Sequence, residues 1–238
     1  MASTRLPGKA LADINGTPLL GHLVERVQRC LYLDDVLICT TENVSDDVIS
    51  EYATSINCNY FRGSEHNLLD RLINGIKSVE GTVGVVVFGD GPLIDPMIID
   101  LGVRLFFENN TFDLVSNDLK TTYPPGMEVE IVRLEALEDA AGRCNDPHLL
   151  EHGTLFIRKH GNLYNLHNFE ATESVRRPDI ELEVDTLEDL EVIRTILKHF
   201  NGRTNYSLSE IIQFVDKNPE VANINRGIPR EWKQHRDE

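Results

Sequence analysis

The sequence predicts an α/β fold in three layers, with helices covering both faces of a mostly parallel sheet. Short β-branched runs alternate with helical stripes through the first half of the chain. That alternation builds parallel strand pairs joined by right-handed crossovers. The 238 residues suit one open α/β domain with a smaller elaboration after about residue 120. No internal repeat, low-complexity tract or long Pro/Gly/Ser linker divides the chain.

The elements follow in order. Leu19, Leu20, Leu23, Val24, Val27 and Leu31 fall on one helical stripe, with Pro18 in its favoured first-turn place. Val36-Leu37-Ile38-Cys39, inside Asp34 to Thr41, predicts a short buried strand. Ser45 ahead of Asp46 and Asp47 predicts a helix start, because a hydroxyl caps free N–H groups and acids suit the positive helix end. Val48, Ile49, Tyr52 and Ile56 share its inner face. Leu68, Leu69, Leu72, Ile73, Ile76 and Val79 make a third stripe. Val83 to Phe88 is a continuous apolar run and predicts the central strand. Asp95 to Glu108 reads as a helix and Asp113 to Ser116 as a short strand. Met127 to Val132 alternates apolar with polar, as a half-exposed strand does, and Leu163 to Asn168 predicts a further strand. Ile180 to Val184 predicts another, running into a helix with Leu187, Leu190, Val192, Ile193, Ile196 and Leu197. A last helix starts near Ser207.

Composition narrows the function. Asp and Glu number 39 against 23 Lys and Arg, a net charge of −16. Nucleic-acid binders need positive faces for the phosphate backbone, so nucleic acid is not expected as a partner. No stretch approaches a membrane span, and the first residues lack the pattern of an export signal. Cys30, Cys39, Cys58 and Cys144 are widely spaced, which predicts reduced thiols in a cytoplasmic protein.

Three constellations can carry chemistry. In Ser3-Thr4-Arg5-Leu6-Pro7-Gly8-Lys9, two cations flank a Pro-Gly turn, an arrangement that can hold a polyphosphate. By itself, a basic N-terminal segment is more often a solvated tail. Gly89-Asp90-Gly91-Pro92 follows the strongest strand, where open α/β sheets gather ligands. Asp90 there is either an Asx turn or a hard-oxygen ligand for Mg²⁺. Asp185 ends the Ile180–Val184 run, ahead of Thr186 and Asp189, which make a capping-box variant. It reads as a strand-end surface charge or as a second carboxylate for one magnesium.

The order R-L-P-G-K, G-S-E-x-x-x-L-D-R, G-D-x-P-L-I-D-P, Y-P-x-G-x-x-V-E and V-D-T-x-E-D-L resembles the acylneuraminate and 3-deoxy-manno-octulosonate cytidylyltransferase family. It is most similar to the spore-coat polysaccharide biosynthesis branch, and the resemblance covers Ser3 to about Asn225. It implies one Rossmann-like nucleotidyltransferase domain over residues 1–238, with a small β-hairpin elaboration and a homodimer region at roughly 120–178. The implied reaction passes CMP from CTP to the hydroxyl of an acidic sugar and releases pyrophosphate, in surface polysaccharide biosynthesis. By resemblance, Ser3, Arg5 and Lys9 hold the CTP phosphates, and Asp90 and Asp185 hold Mg²⁺. Arg62, Gly63, Ser64, Asp70 and Arg71 belong to the nucleotide side, and Tyr123, Gly126, Glu128, Glu130 and His152 to the acceptor side. Glu151-His152 reads equally as a solvated helix end. His152, Glu128 and a metal-bound hydroxide all qualify as general base.

Three features depart from the family's pattern. Only four residues precede Arg5, too few for the interior strand the family carries there, so that first strand is expected to be missing. Leu150 stands where the close branch has Arg, and Gly91 where Cys is common. The alternatives are a nucleotidyltransferase using another NTP or acceptor, and an inactive relative serving as a binding subunit.

Overall fold

The computed structural model describes residues 5–230. Its strands are β1 (Asp13–Ile14), β2 (Thr17–Pro18), β3 (Leu37–Thr41), β4 (Asn59–Gly63), β5 (Val83–Val87), β6 (Leu114–Ser116), β7 (Val129–Arg133) and β8 (Leu166–Asn168). Its helices are α1 (Leu19–Val27), α2 (Asp47–Ser55), α3 (Leu68–Ser78), α4 (Pro96–Glu108), α5 (Leu134–Arg143), α6 (Pro147–Glu151), α7 (Leu155–Lys159), α8 (Leu187–Phe200), α9 (Leu208–Lys217) and α10 (Pro219–Asn223). Among the described residues, no helix is long and apolar enough to cross a membrane. The four cysteines are free thiols.

Helices pack around sheets in a mixed α/β architecture. β3 and β4 pair in parallel, Leu37 opposite Asn59 through Thr41 opposite Gly63. A second sheet runs β5-β7-β6-β8. β7 is antiparallel to both β5 and β6, and β8 is parallel to β6. Three of those four strands therefore point one way, and β7 opposes them. Helix α3 covers both sheets, touching β3, β4 and β5. Gly75 permits this approach, because a Cβ there would sit 2.8 Å from Cys39 Sγ. Among the described strands, β5 is the end of its sheet rather than its centre.

Most of the predicted elements fold where the apolar spacing put them. Leu31 lies beyond the end of α1 and is 80% exposed, and Val48 points outward from α2. Asp46 does not lead the helix as an ordinary cap. It sits in a 3₁₀ turn and turns back to accept from the Thr40 and Thr41 hydroxyls at 2.8 and 2.7 Å. β7 is buried on both faces instead of half exposed. It lies between β5 and β6, and its polar residue Glu130 is sealed by ion pairing rather than by water.

Ile180–Val184 is not a strand. Ile180, Leu182 and Val184 are buried in alternation, yet the segment bonds singly to two different loops. Leu182 N donates to Pro125 O and Val184 N to Asp90 O, both at 2.9 Å. A period of two reports extended chain, and only a run of partners makes a ladder. A short hairpin, β1–β2, turns at Asn15-Gly16 with both residues at positive φ, the geometry a two-residue hairpin requires. The stretch after residue 120 supplies β7, β8 and three short helices, α5, α6 and α7.

Candidate active site

Three segments converge at the end of β5. The first is the loop after that strand, Gly89 to Pro92. The second is Pro124 to Met127, ahead of β7. The third is the extended run that ends at Asp185. Their backbones interlock through the Leu182–Pro125 and Val184–Asp90 hydrogen bonds. Two glycines let the chains approach this closely. A Cβ on Gly91 would lie 2.7 Å from the Gly126 carbonyl oxygen, so no larger residue fits here without backbone movement. A Cβ on Gly126 would lie 2.7 Å from the Leu182 carbonyl carbon, and Gly126 has φ +97°.

The N-terminal turn closes the site. Gly8 takes the left-handed conformation and starts a 3₁₀ turn, Lys9–Leu11. Lys9 Nζ then donates to Asp90 Oδ2 at 3.0 Å, to Asp185 Oδ1 at 2.9 Å and to the Val184 carbonyl at 3.1 Å. Arg5 Nη2 donates to Asp185 Oδ2 at 2.7 Å. The basic segment is thus no solvated tail. Ser3 lies outside the described residues.

A third carboxyl joins the two aspartates. One oxygen from each of Asp90, Glu183 and Asp185 lies within 4.8 Å of the others. Three hard oxygens at that spacing suit a divalent cation such as Mg²⁺. Sequence reading passed over Glu183, which was read only as part of the Ile180–Val184 strand. The signal was present: residues two apart on extended chain share a side, so Glu183 points where Asp185 points.

Electrostatics set the protonation. Burial, then the charges of Asp90, Glu128 and Asp185, push the Glu183 carboxyl up to about 10. It stays protonated at neutral pH and hydrogen-bonds Asp185. Burial alone would raise Asp185, but Lys9, that Glu183 bond and Arg5 hold it below the usual carboxylate range. Burial would lower Lys9, and its two aspartate partners raise it instead.

The nucleotide-side segment is tied to its own surroundings. Arg62 donates to the Thr41 and Asn43 carbonyls and pairs with Asp47 at 2.6 Å, so it fastens the ends of β3 and β4 to the start of α2. Ser64 Oγ accepts from Asn67 N, and Arg71 donates to the Ser64 carbonyl. Arg71 Nε is buried without a hydrogen-bond partner. Asp70 is exposed in the first turn of α3, and its N–H donates to the Asn67 cap.

Two of the residues expected on the acceptor side are buried. Glu130 is 1% exposed, accepting from Thr154 Oγ1 at 2.6 Å and facing Arg158 at 3.3 Å. It organises α7 against β7 and has no surface to offer a substrate. Tyr123 is also buried, edge-on to Phe169. Glu128 is half-buried and accepts from Gly126 N at 2.7 Å, holding the loop that touches Glu183. His152 is exposed at the end of α6, its ring against that of His148. α6 packs on α3, and Gly153, next to His152, faces Leu68 and Leu72 of that helix.

The sequence profile described as Cytidylyltransferase matches residues 1–218. The chain belongs to the cytidylyltransferase family. This cytidylyltransferase is 32% identical over 231 residues to the spore coat polysaccharide biosynthesis protein SpsF of Bacillus subtilis, covering 93% of each chain. Its fold matches the structure of a cytidylyltransferase from Leptospira borgpetersenii with a TM-score of 0.90 at 30% identity, over 97% of this chain and 95% of that one. A CMP:2-keto-3-deoxy-manno-octonic acid synthetase solved with CTP shares the fold at a TM-score of 0.65 and 18% identity, over 83% and 95% of the two chains. The chain is a nucleotidyltransferase enzyme with the three-layer fold of that family.

Proposed function

We propose that this cytidylyltransferase transfers CMP from CTP to the hydroxyl of an acidic sugar, releasing pyrophosphate, as one step in making a surface polysaccharide. One observation carries the reading: a single ammonium, Lys9 Nζ, bridges Asp90 and Asp185 at 3.0 and 2.9 Å. Cations and carboxylates meet there at the open end of an α/β sheet, where such folds bind ligands. The relatives named above support the class of reaction.

Attack on an α-phosphate needs charge neutralisation and an aligned nucleophile, so positioning and electrostatics do most of the work. Asp90 and Asp185, with Glu183 beside them, are the residues that would hold Mg²⁺. The bound ion would neutralise phosphate oxygens. Lys9 and Arg5, which sit beside these carboxylates, would offer positive charge to the triphosphate and to the departing pyrophosphate. Glu128 keeps the Pro124–Met127 loop in shape on the acceptor side. The homodimer stays a proposal of the same kind, read by sedimentation at micromolar concentration.

The decisive experiment measures pyrophosphate release from CTP with 2-keto-3-deoxy sugar acids, in the wild type and in Lys9→Ala and Asp90→Ala. The reading requires CTP- and acceptor-dependent release in the wild type and its loss in both folded variants. Release from UTP, GTP or ATP in preference to CTP, or none at all, would overturn it.

A further inference from the structure

We propose that Arg230, far from the reacting groups, is a positioning residue for Asp185, acting through Asp189 as a latch from the C-terminal segment to the carboxylate cluster. The proposal rests on the metal reading of Asp90 and Asp185 given above.

Asp189 is wholly buried, and its carboxylate is saturated. Oδ2 accepts from the Asp185 N–H at 3.0 Å, the Thr186 N–H at 2.8 Å, the Thr186 hydroxyl at 3.0 Å and Arg230 Nη1 at 2.9 Å. Oδ1 accepts from Arg230 Nη2 at 2.7 Å and Asn225 Nδ2 at 2.8 Å. The Thr186 N–H bond, together with the Asp189 N–H that donates to Thr186 Oγ1 at 3.3 Å, forms the capping box that starts α8. An ordinary box needs only those two residues. Here the same oxygen also fixes the Asp185 amide, and hence the direction in which the Asp185 side chain leaves the backbone.

Arg230 holds that oxygen in place. Its side chain is 1% exposed, and its guanidinium grips both carboxylate oxygens in the fork geometry only Arg supplies. Asn225 donates from the same segment to Asp189 and to the Glu181 carbonyl, which lies in the extended run leading to Glu183 and Asp185. The C-terminal segment therefore grips both ends of the stretch that delivers two of the three clustered carboxyls. Burying an ion pair contributes little net stability, because desolvation offsets the attraction. A rigid fork on the residue that orients a ligating group instead tunes the ligand, on the scale of 10- to 100-fold in metal affinity.

The test titrates the full chain with Mn²⁺ alone, following free ion by electron paramagnetic resonance, alongside thermal melts. The variants are Arg230→Gln, Arg230→Lys and Val221→Ala, the last loosening α10 in the same region without touching Asp189. We expect Arg230→Gln to weaken Mn²⁺ binding about 10-fold, Arg230→Lys to fall between it and the wild type, and Val221→Ala to melt earlier with unchanged affinity. Wild-type affinity in Arg230→Gln overturns the latch, as does equal weakening in Val221→Ala. If Arg230→Gln does not fold, Arg230→Lys decides by the same criterion, since it keeps the charge and loses the fork. A wild type that binds no Mn²⁺ fails the metal reading and the latch with it, an outcome distinct from the first two.

Discussion

Lys9 and Asp185, separated by most of the chain, meet at 2.9 Å, and the same ammonium reaches Asp90 at 3.0 Å. Lys9 sets its charge against two converging carboxylates, and Arg5 adds a second positive charge on Asp185. Burial and the neighbouring carboxylates push the Glu183 carboxyl the other way, toward keeping its proton.

Removing the Lys9 ammonium has two readable effects. Lys9→Met leaves Asp90 and Asp185 facing each other with Arg5 alone to compensate. The metal-free protein should lose about 1–3 kcal/mol in urea unfolding, and added Mg²⁺ should recover part of it. Pyrophosphate release should fall about 100-fold or more, the scale for losing one preorganised charge at a reacting phosphate.

Glu183 gives the metal-free protein a distinctive pH dependence. Its folded pKa, pushed to about 10, stands above the ordinary 4.5. The folded state therefore holds a proton that the unfolded state releases as pH passes 4.5. The associated stability is present below that point and is lost progressively up to pH about 10. Glu183→Gln removes the titration, so melting temperatures of variant and wild type should converge near pH 5 and separate near pH 9 in the variant's favour. A constant gap across that range would refute the assignment of a neutral Glu183.

Glu130 tests burial against function. Glu130→Ala strips Thr154 of its acceptor and leaves Arg158 with Asp118 as its one carboxylate partner, costing about 1–3 kcal/mol. Glu130→Gln keeps the bond from Thr154 and should cost markedly less. Chemical denaturation of both variants reads the difference. A direct acceptor contact would instead show as a raised acceptor KM in Glu130→Gln at unchanged stability.

Gly126 tests the interlocked loops. Gly126→Ala forces a Cβ to within 2.7 Å of the Leu182 carbonyl carbon at φ +97°. The strain, about 1–3 kcal/mol, falls on the segment carrying Glu183 and Asp185. Activity should drop by more than the loss of folded protein explains, measured as turnover per folded molecule.

Chain order and residue chemistry were enough for the alternating elements, because helical stripes and β-branched runs are local patterns. They also singled out Arg5, Lys9, Asp90 and Asp185 as candidates, each beside a glycine-rich turn or an element end, and the fold brings these four side chains together. What lay beyond reach was every feature that depends on a partner distant in sequence. Glu130 looked like a polar strand face until β5 and β6 closed around β7. Ile180–Val184 looked like a strand because extended chain alternates whether or not a neighbour pairs with it. Glu183 became a third carboxyl of the cluster, and Arg230 its distant anchor, only when folding brought desolvation and opposing charges together. Burial and Coulomb energy depend on distance in space, and a linear sequence carries no such distances.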